Sequence, residues 1–232
     1  MSRMLVKCLV SLGMALVAIA PPAIADTFTL TNVNPSGANL GGVYTGPYVA
    51  TINGVPNIQV ICDDFATTTY LNQTLNVTET RVSELASPSP NQTVKFTRAD
   101  GVQQQNNYMT AAYLAIQMIG VDQSSAAGQM QAGLLNYAIW GLFTPSAFTR
   151  LNLLEQAAAM QYLADAQAAI VGQTVGMYAN VSIWTPNPNG AAQEFLSVTV
   201  TEPAAAAMLL FNLLAVLGFG LFVRRRNDGL VQ

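Results

Sequence analysis

Twenty consecutive uncharged residues, Ala204 to Val223, stand directly before Arg224-Arg225-Arg226 near the end of this 232-residue chain. Wound as a helix at about 1.5 Å per residue, such a run crosses a hydrocarbon core of ~30 Å once. The arginines behind it hold the C-terminus in the cytoplasm by the positive-inside rule, so everything before Pro203 is expected outside the inner membrane. The N-terminus carries the matching signal. Arg3 and Lys7 precede an apolar run from Cys8 to Ala20, Pro21-Pro22 breaks it, and Ala23-Ile24-Ala25 supplies small residues before a cut between Ala25 and Asp26. The expected organisation is a signal peptide over 1–25, a secreted body over 26–200 and a tail over 201–232. The Sec translocon and signal peptidase are the expected first partners of the chain.

The body between these ends is acidic. From Asp26 to Pro203 there are four basic residues, Arg81, Lys95, Arg98 and Arg150, against eleven acids, a net charge of −7. Such a surface repels nucleic acid, and none is expected as a partner. Histidine is absent from the whole chain. That removes Ser/His/Asp and Cys/His nucleophilic sets and every His-based metal site, and no catalytic residue, cofactor or metal is expected.

The tail has three parts: Thr201-Glu202-Pro203, the apolar run 204–223, and the cluster Arg224, Arg225 and Arg226. It resembles the PEP-CTERM sorting signal of Gram-negative bacteria, with Thr201 in place of the first proline and Glu202 and Pro203 kept. The resemblance implies recognition by an exosortase, a membrane-embedded protease-transpeptidase, and a host that makes extracellular polysaccharide and biofilm matrix. Pro203 lacks an N–H and disfavours helix in the residue before it, so the box is left extended at the outer edge of the membrane. A permanent single-span anchor is the alternative.

Along the body, two periodicities succeed each other. Thr27–Thr31 alternates as a half-buried strand; 43–52 and 57–62 read as a hairpin around Asn53-Gly54; 67–70 and 74–80 extend the sheet. Helical spacing follows at 104–119, at 129–143, and at 153–171, where Leu153, Ala157, Met160, Ala164, Ala168 and Val171 form one face. Closing strands are expected at 177–184 and 193–200, and Leu85 to Pro90, rich in Ser and Pro, reads as a loop. The expected fold is α+β: an N-terminal antiparallel sheet or sandwich, then a small helical cluster, with one C-terminal transmembrane helix.

Once the signal is removed, Cys62 is the body's lone cysteine. It ends an apolar strand and is followed by Asp63-Asp64-Phe65, where the strand is expected to meet solvent. It is open to being inert, paired with another molecule, or chemically used. Adjacent carboxylates raise a thiol's pKa and oppose a thiolate. On a strand, the side chains of Asp63 and Asp64 point to opposite faces and cannot flank one bond, which argues against a carboxylate-pair hydrolase. Two carboxylates without DxDxDG spacing do not make a calcium site. Met109, Met118 and Met130 read as core filler.

Val43–Tyr48, Ile61–Phe65, Ala111–Ala115 and Leu135-Asn136-Tyr137-Ala138-Ile139-Trp140 together look like a recurring ectodomain of PEP-CTERM proteins. The cysteine strand and the Tyr-Ala-Ile-Trp helix are also similar to bacterial surface thioester domains, in which a Cys and a Gln form an internal cross-link that captures amines. By that resemblance the pair here is Cys62 and Asn136, an Asn standing where those domains have Gln. Two functions are thus carried forward. The first is a secreted, non-catalytic cell-surface or matrix protein associated with extracellular polysaccharide. The second is a covalent capture adhesin using Cys62.

Overall fold

The computed structural model describes residues 25–33, 35–85, 91–97 and 100–199. The signal-like segment 1–24, the Ser/Pro-rich 86–90 and the tail from 200 onward, with its box, apolar run and arginines, lie outside the described residues. Among the described residues no helix is long and apolar enough to cross a membrane.

The alternating segments form strands. β1 (Asp26–Asn32) buries Phe28 and Leu30; β4 (Tyr48–Ile52) buries Tyr48, Ala50 and Ile52. Between them lies a two-stranded ribbon of β2 (Asn39–Leu40) and β3 (Val43–Tyr44). β4 turns into β5 (Val55–Cys62) through Asn53-Gly54, with φ of 52° and 79°, the left-handed pair that a two-residue hairpin turn requires. β6 (Thr74–Arg81) follows. Three helices come next: α1 (Gly101–Ile119), α2 (Ala126–Phe143) and α3 (Leu153–Ala169). Each starts where a short polar side chain accepts from the first turn: Asp100 from Val102, Ser125 from Gly128, and Asn152 from Leu154 and Glu155. The chain returns to the sheet as β7 (Val181–Pro186) and β8 (Phe195–Val198).

The architecture is α+β, with all six long strands closed into an antiparallel barrel in the order β1-β4-β5-β8-β7-β6. This corrects the expected sandwich. The two strands that follow the helices fill the gap between β5 and β6 and abolish both sheet edges.

The end of β5 (Val60, Ile61 and Cys62), β7 and the start of β8 are buried on both faces. Val60, Cys62, Trp184 and Phe195 point into the barrel with Phe28, Leu30 and Tyr48. Their neighbours Ile61, Ile183 and Leu196 point outward under α1 and α2, against Tyr108, Leu114, Met118, Leu135, Ile139 and Phe143. Period-2 geometry on one strand therefore feeds two cores.

Three expectations differ locally. The 43–52 strand is split by Gly46-Pro47 into β3 and β4, since Pro47 has no N–H to give a ladder. Thr67–Tyr70 is irregular rather than a strand. On α3 the buried stripe is Ala159-Leu163-Ala166-Ile170, leaving Leu153 and Val171 at least four-fifths exposed and Met160 half exposed. An alanine-rich helix carries two interleaved apolar stripes, and periodicity alone does not choose between them. Met109 and Met118 are core residues, whereas Met130 is substantially exposed.

Candidate functional site

The end of β5 is where the sequence concentrates chemistry, and the fold buries it. Cys62, Asp63 and Asp64 are each 1% exposed or less. The expectation of a solvent-edge position is corrected: β8 covers β5 on one side, α2 lies over the strand end, and the 91–97 segment closes over the acids.

Two polar junctions form there. The first centres on Asn136 of α2, 74 residues from Cys62 and fully buried. Its Nδ2 donates to the Cys62 backbone carbonyl at 2.9 Å, and its Oδ1 accepts from the Gly46 backbone N–H at 2.7 Å. The Tyr48 hydroxyl lies 3.5 Å from the same oxygen and donates at 2.9 Å to the Tyr44 carbonyl. Asn136 thus ties β5, β4 and the 44–47 turn to α2. Close packing surrounds it: a Cβ on Gly46 would come within 3.2 Å of Oδ1.

The pair singled out from sequence is therefore brought together, with the amide of Asn136 bonded to the backbone of Cys62. The thiol itself donates to the Asp64 carbonyl at 3.1 Å. Burial, then the charges of Asp63 and Asp64, push its pKa well up, so it is a thiol at neutral pH. The buried indole N–H of Trp140 has no hydrogen-bond partner among the described residues. Tyr48 is pushed up in the same way, by burial first and by Cys62 second.

The second junction holds the acids. The antiparallel register that sets Cys62 opposite Phe195 brings Glu194 beside Asp63, whose backbone N–H donates to the Glu194 carbonyl at 3.3 Å. Glu194 is fully buried and accepts from the Tyr108 hydroxyl at 2.6 Å, from the Lys95 backbone N–H at 2.7 Å, and from the Thr185 hydroxyl. Neither carboxyl oxygen of Asp63 receives an ordinary donor, and its neighbour is the Glu194 carboxyl. Two carboxylates in a dry site cannot both ionise. Burial first and the Glu194 charge second hold the Asp63 carboxyl well above the usual range; burial raises Glu194 as well, against the pull of its three donors.

Asp64 turns the other way, to an ion pair with Lys95. The Lys95 ammonium also donates to the Thr67 hydroxyl at 2.5 Å and the Ala192 carbonyl at 3.3 Å, while Asp64 Oδ1 accepts from the Ala66 N–H at 3.0 Å. Sequence reasoning missed Glu194, Lys95 and Tyr108. It weighed only the adjacent Asp63 and Asp64 as a carboxylate pair, and the β5–β8 register adds Glu194 beside Asp63.

Above these junctions the barrel mouth opens into a pocket of about 380 Å³. The end of β1, the start of β4, the residues after β5 and the start of β8 all meet at this mouth. Ring surfaces come from Tyr44, Tyr48, Phe65 and Trp140; polar groups come from Thr67, Thr68, Thr69 and Gln193. Arg150 is the charged residue among those lining it, in a body with many more acids than bases. Phe65 packs on Trp140 at 5.2 Å between ring centres, and Trp140 on Tyr137 at 5.0 Å, so the aromatic floor is braced from α2.

No family model matches the chain, and no curated protein matches it. Among solved structures, the N-terminal domain of the Streptococcus pyogenes pilus tip adhesin Cpa aligns at 15% identity and a TM-score of 0.40, over 75% of this chain and 93% of that one. A TM-score of that size is below the level at which two chains are taken to share a fold. The sorting tail (Thr201, Glu202, Pro203, Arg224, Arg225 and Arg226) and the residues before Ala25 lie outside the described residues.

Proposed function

We propose that this chain is an exported, non-catalytic surface or matrix protein whose body holds extracellular polysaccharide in the pocket at the barrel mouth. The observation that carries the reading is the lining of that pocket. Aromatic rings offer faces on which the apolar side of a sugar stacks, three threonines and a glutamine offer donors and acceptors for hydroxyls, and one arginine offers a fixed charge. Export is supported by the charged, apolar and small-residue order of residues 1–25, and the orientation by Arg224-Arg225-Arg226 after the apolar run. Sorting by an exosortase, with the inner membrane as a temporary anchor, is supported by the three-part tail.

Titration of the purified protein with fragments of the host's own exopolysaccharide, followed by calorimetry, tests the reading. Saturable binding that weakens at least tenfold in Tyr44→Ala, whose side chain is half exposed, is expected. No heat with any fragment overturns it. For the tail, the body moves from inner membrane to surface or medium only in cells that have the sorting protease; full-length protein in both strains leaves a plain anchor.

A second reading, covalent capture through Cys62, is favoured by one observation: the fold brings Cys62 and Asn136 into contact across 74 residues. A thioester between them releases one ammonia and blocks the thiol. A free thiol and a chain of full amide content end that reading.

A further inference from the structure

We propose that Lys95 and Asp64 are joined by an intramolecular amide bond that the folded chain makes itself. Lys95 is the body's sole lysine, and it lies in the segment 91–97, which has no strand or α-helix of its own. Its amine is nonetheless carried into the barrel end and set against a carboxyl group with no exposure to water. The inference does not depend on what occupies the pocket.

The surroundings of the pair suit condensation. The Thr67 hydroxyl and the Ala192 carbonyl fix the nitrogen from two further directions. The Ala66 N–H points at Asp64 Oδ1, the oxygen on which charge develops when the carboxyl carbon becomes tetrahedral. Glu194 accepts the backbone N–H of Lys95 itself, which fixes this stretch of chain at the barrel end.

The step balances without any co-reactant. The ammonium of Lys95 passes one proton to Oδ2 of Asp64, its ion-pair partner, and the freed lone pair on Nζ forms a bond to Cγ of Asp64. The C–O bond to Oδ2 then breaks. That oxygen, already carrying one proton, takes the second from the nitrogen and leaves as water. Nothing is oxidised or reduced, and the site loses an ion pair and gains a neutral amide. The product pins the irregular 91–97 segment to the end of β5 in a body whose described residues contain no disulfide.

Peptide mapping of the full chain purified from membranes or medium tests this. After denaturation and trypsin digestion, the expected product is a branched peptide joining the Lys95 and Asp64 segments, lighter than their sum by one water, with no cleavage after Lys95. Lys95→Arg keeps a cation beside Asp64 and is expected to fold but to give only linear peptides. A linear wild-type peptide ending at Lys95, with an amine that acylating reagents label in denaturant, overturns the proposal and leaves an ion pair.

Discussion

The two junctions at the end of β5 are neighbours but differ in kind. Around Asn136 every bond is made by neutral groups whose donors and acceptors match, so the site has one protonation state and one geometry. Around Asp63, Asp64 and Glu194 three buried carboxyl groups face one lysine, which pairs with Asp64, and Asp63 and Glu194 are left without a counter-charge. The amide junction holds α2 on the barrel. The carboxyl junction answers to pH. Burial alone does not make a site reactive; burial with mismatched protons does.

The largest expected effect falls on the charged side. Lys95→Ala removes the amide bond proposed for this pair and leaves the Asp64 carboxylate buried with no counter-charge, and unfolding stability is expected to drop by about 3–5 kcal/mol in urea melts. Next comes the amide side. Asn136→Ala orphans the Gly46 N–H and the Cys62 carbonyl, at about 1–3 kcal/mol for each. A smaller loss for Asn136→Ala than for an exposed control such as Leu153→Ser would break the claim that this residue ties the two layers together.

Packing beneath the pocket ranks third. A Cβ at Gly141 would lie 2.0 Å from the Phe148 ring, so Gly141→Ala is expected to cost roughly 1–3 kcal/mol. It should also shift the segment that presents Arg150, which is visible as weaker polysaccharide binding.

The pH response sharpens the contrast. Below the ordinary carboxylate range, around pH 4, Asp63 is protonated folded or unfolded. As pH rises above that range the unfolded chain releases the proton while the folded chain keeps it, because Asp63 is held well above its ordinary value. Stability therefore falls with rising pH from about 4 until the folded pair itself titrates. Glu194, also raised, acts with the same sign. Asp63→Asn is expected to flatten this part of the curve, while Asn136 variants keep its slope. The smallest effect belongs to α3: Leu153→Ser, on an exposed stripe, should stay within about 0.5 kcal/mol of wild type in the same melts.

Much of this was legible in the sequence where one strong period governed a segment. β1, the Asn53-Gly54 hairpin, α1 and α2 announce themselves by spacing and turn chemistry, and Asn136 stood out beside Trp140. Closure of the barrel did not, because pairing β7 with β6 and β8 with β5 joins segments more than a hundred residues apart. Glu194 was invisible for the same reason: its role comes from the register that sets β8 against Cys62. Lys95 lies in a stretch with no periodicity at all, and its hint was its standing as the body's sole lysine. On α3 the pattern misled, since alanine satisfies two stripes equally.

The central claim is that Cys62 and Asn136 are framework and that binding is reversible, at the pocket above them. Its most direct test is a peptide map of the protein taken from cells, alkylated in denaturant without reductant. The account predicts an alkylated Cys62 and an Asn136 amide of full mass. A Cys62 that resists alkylation, in a chain lighter by one ammonia, would contradict it and make this a covalent capture domain.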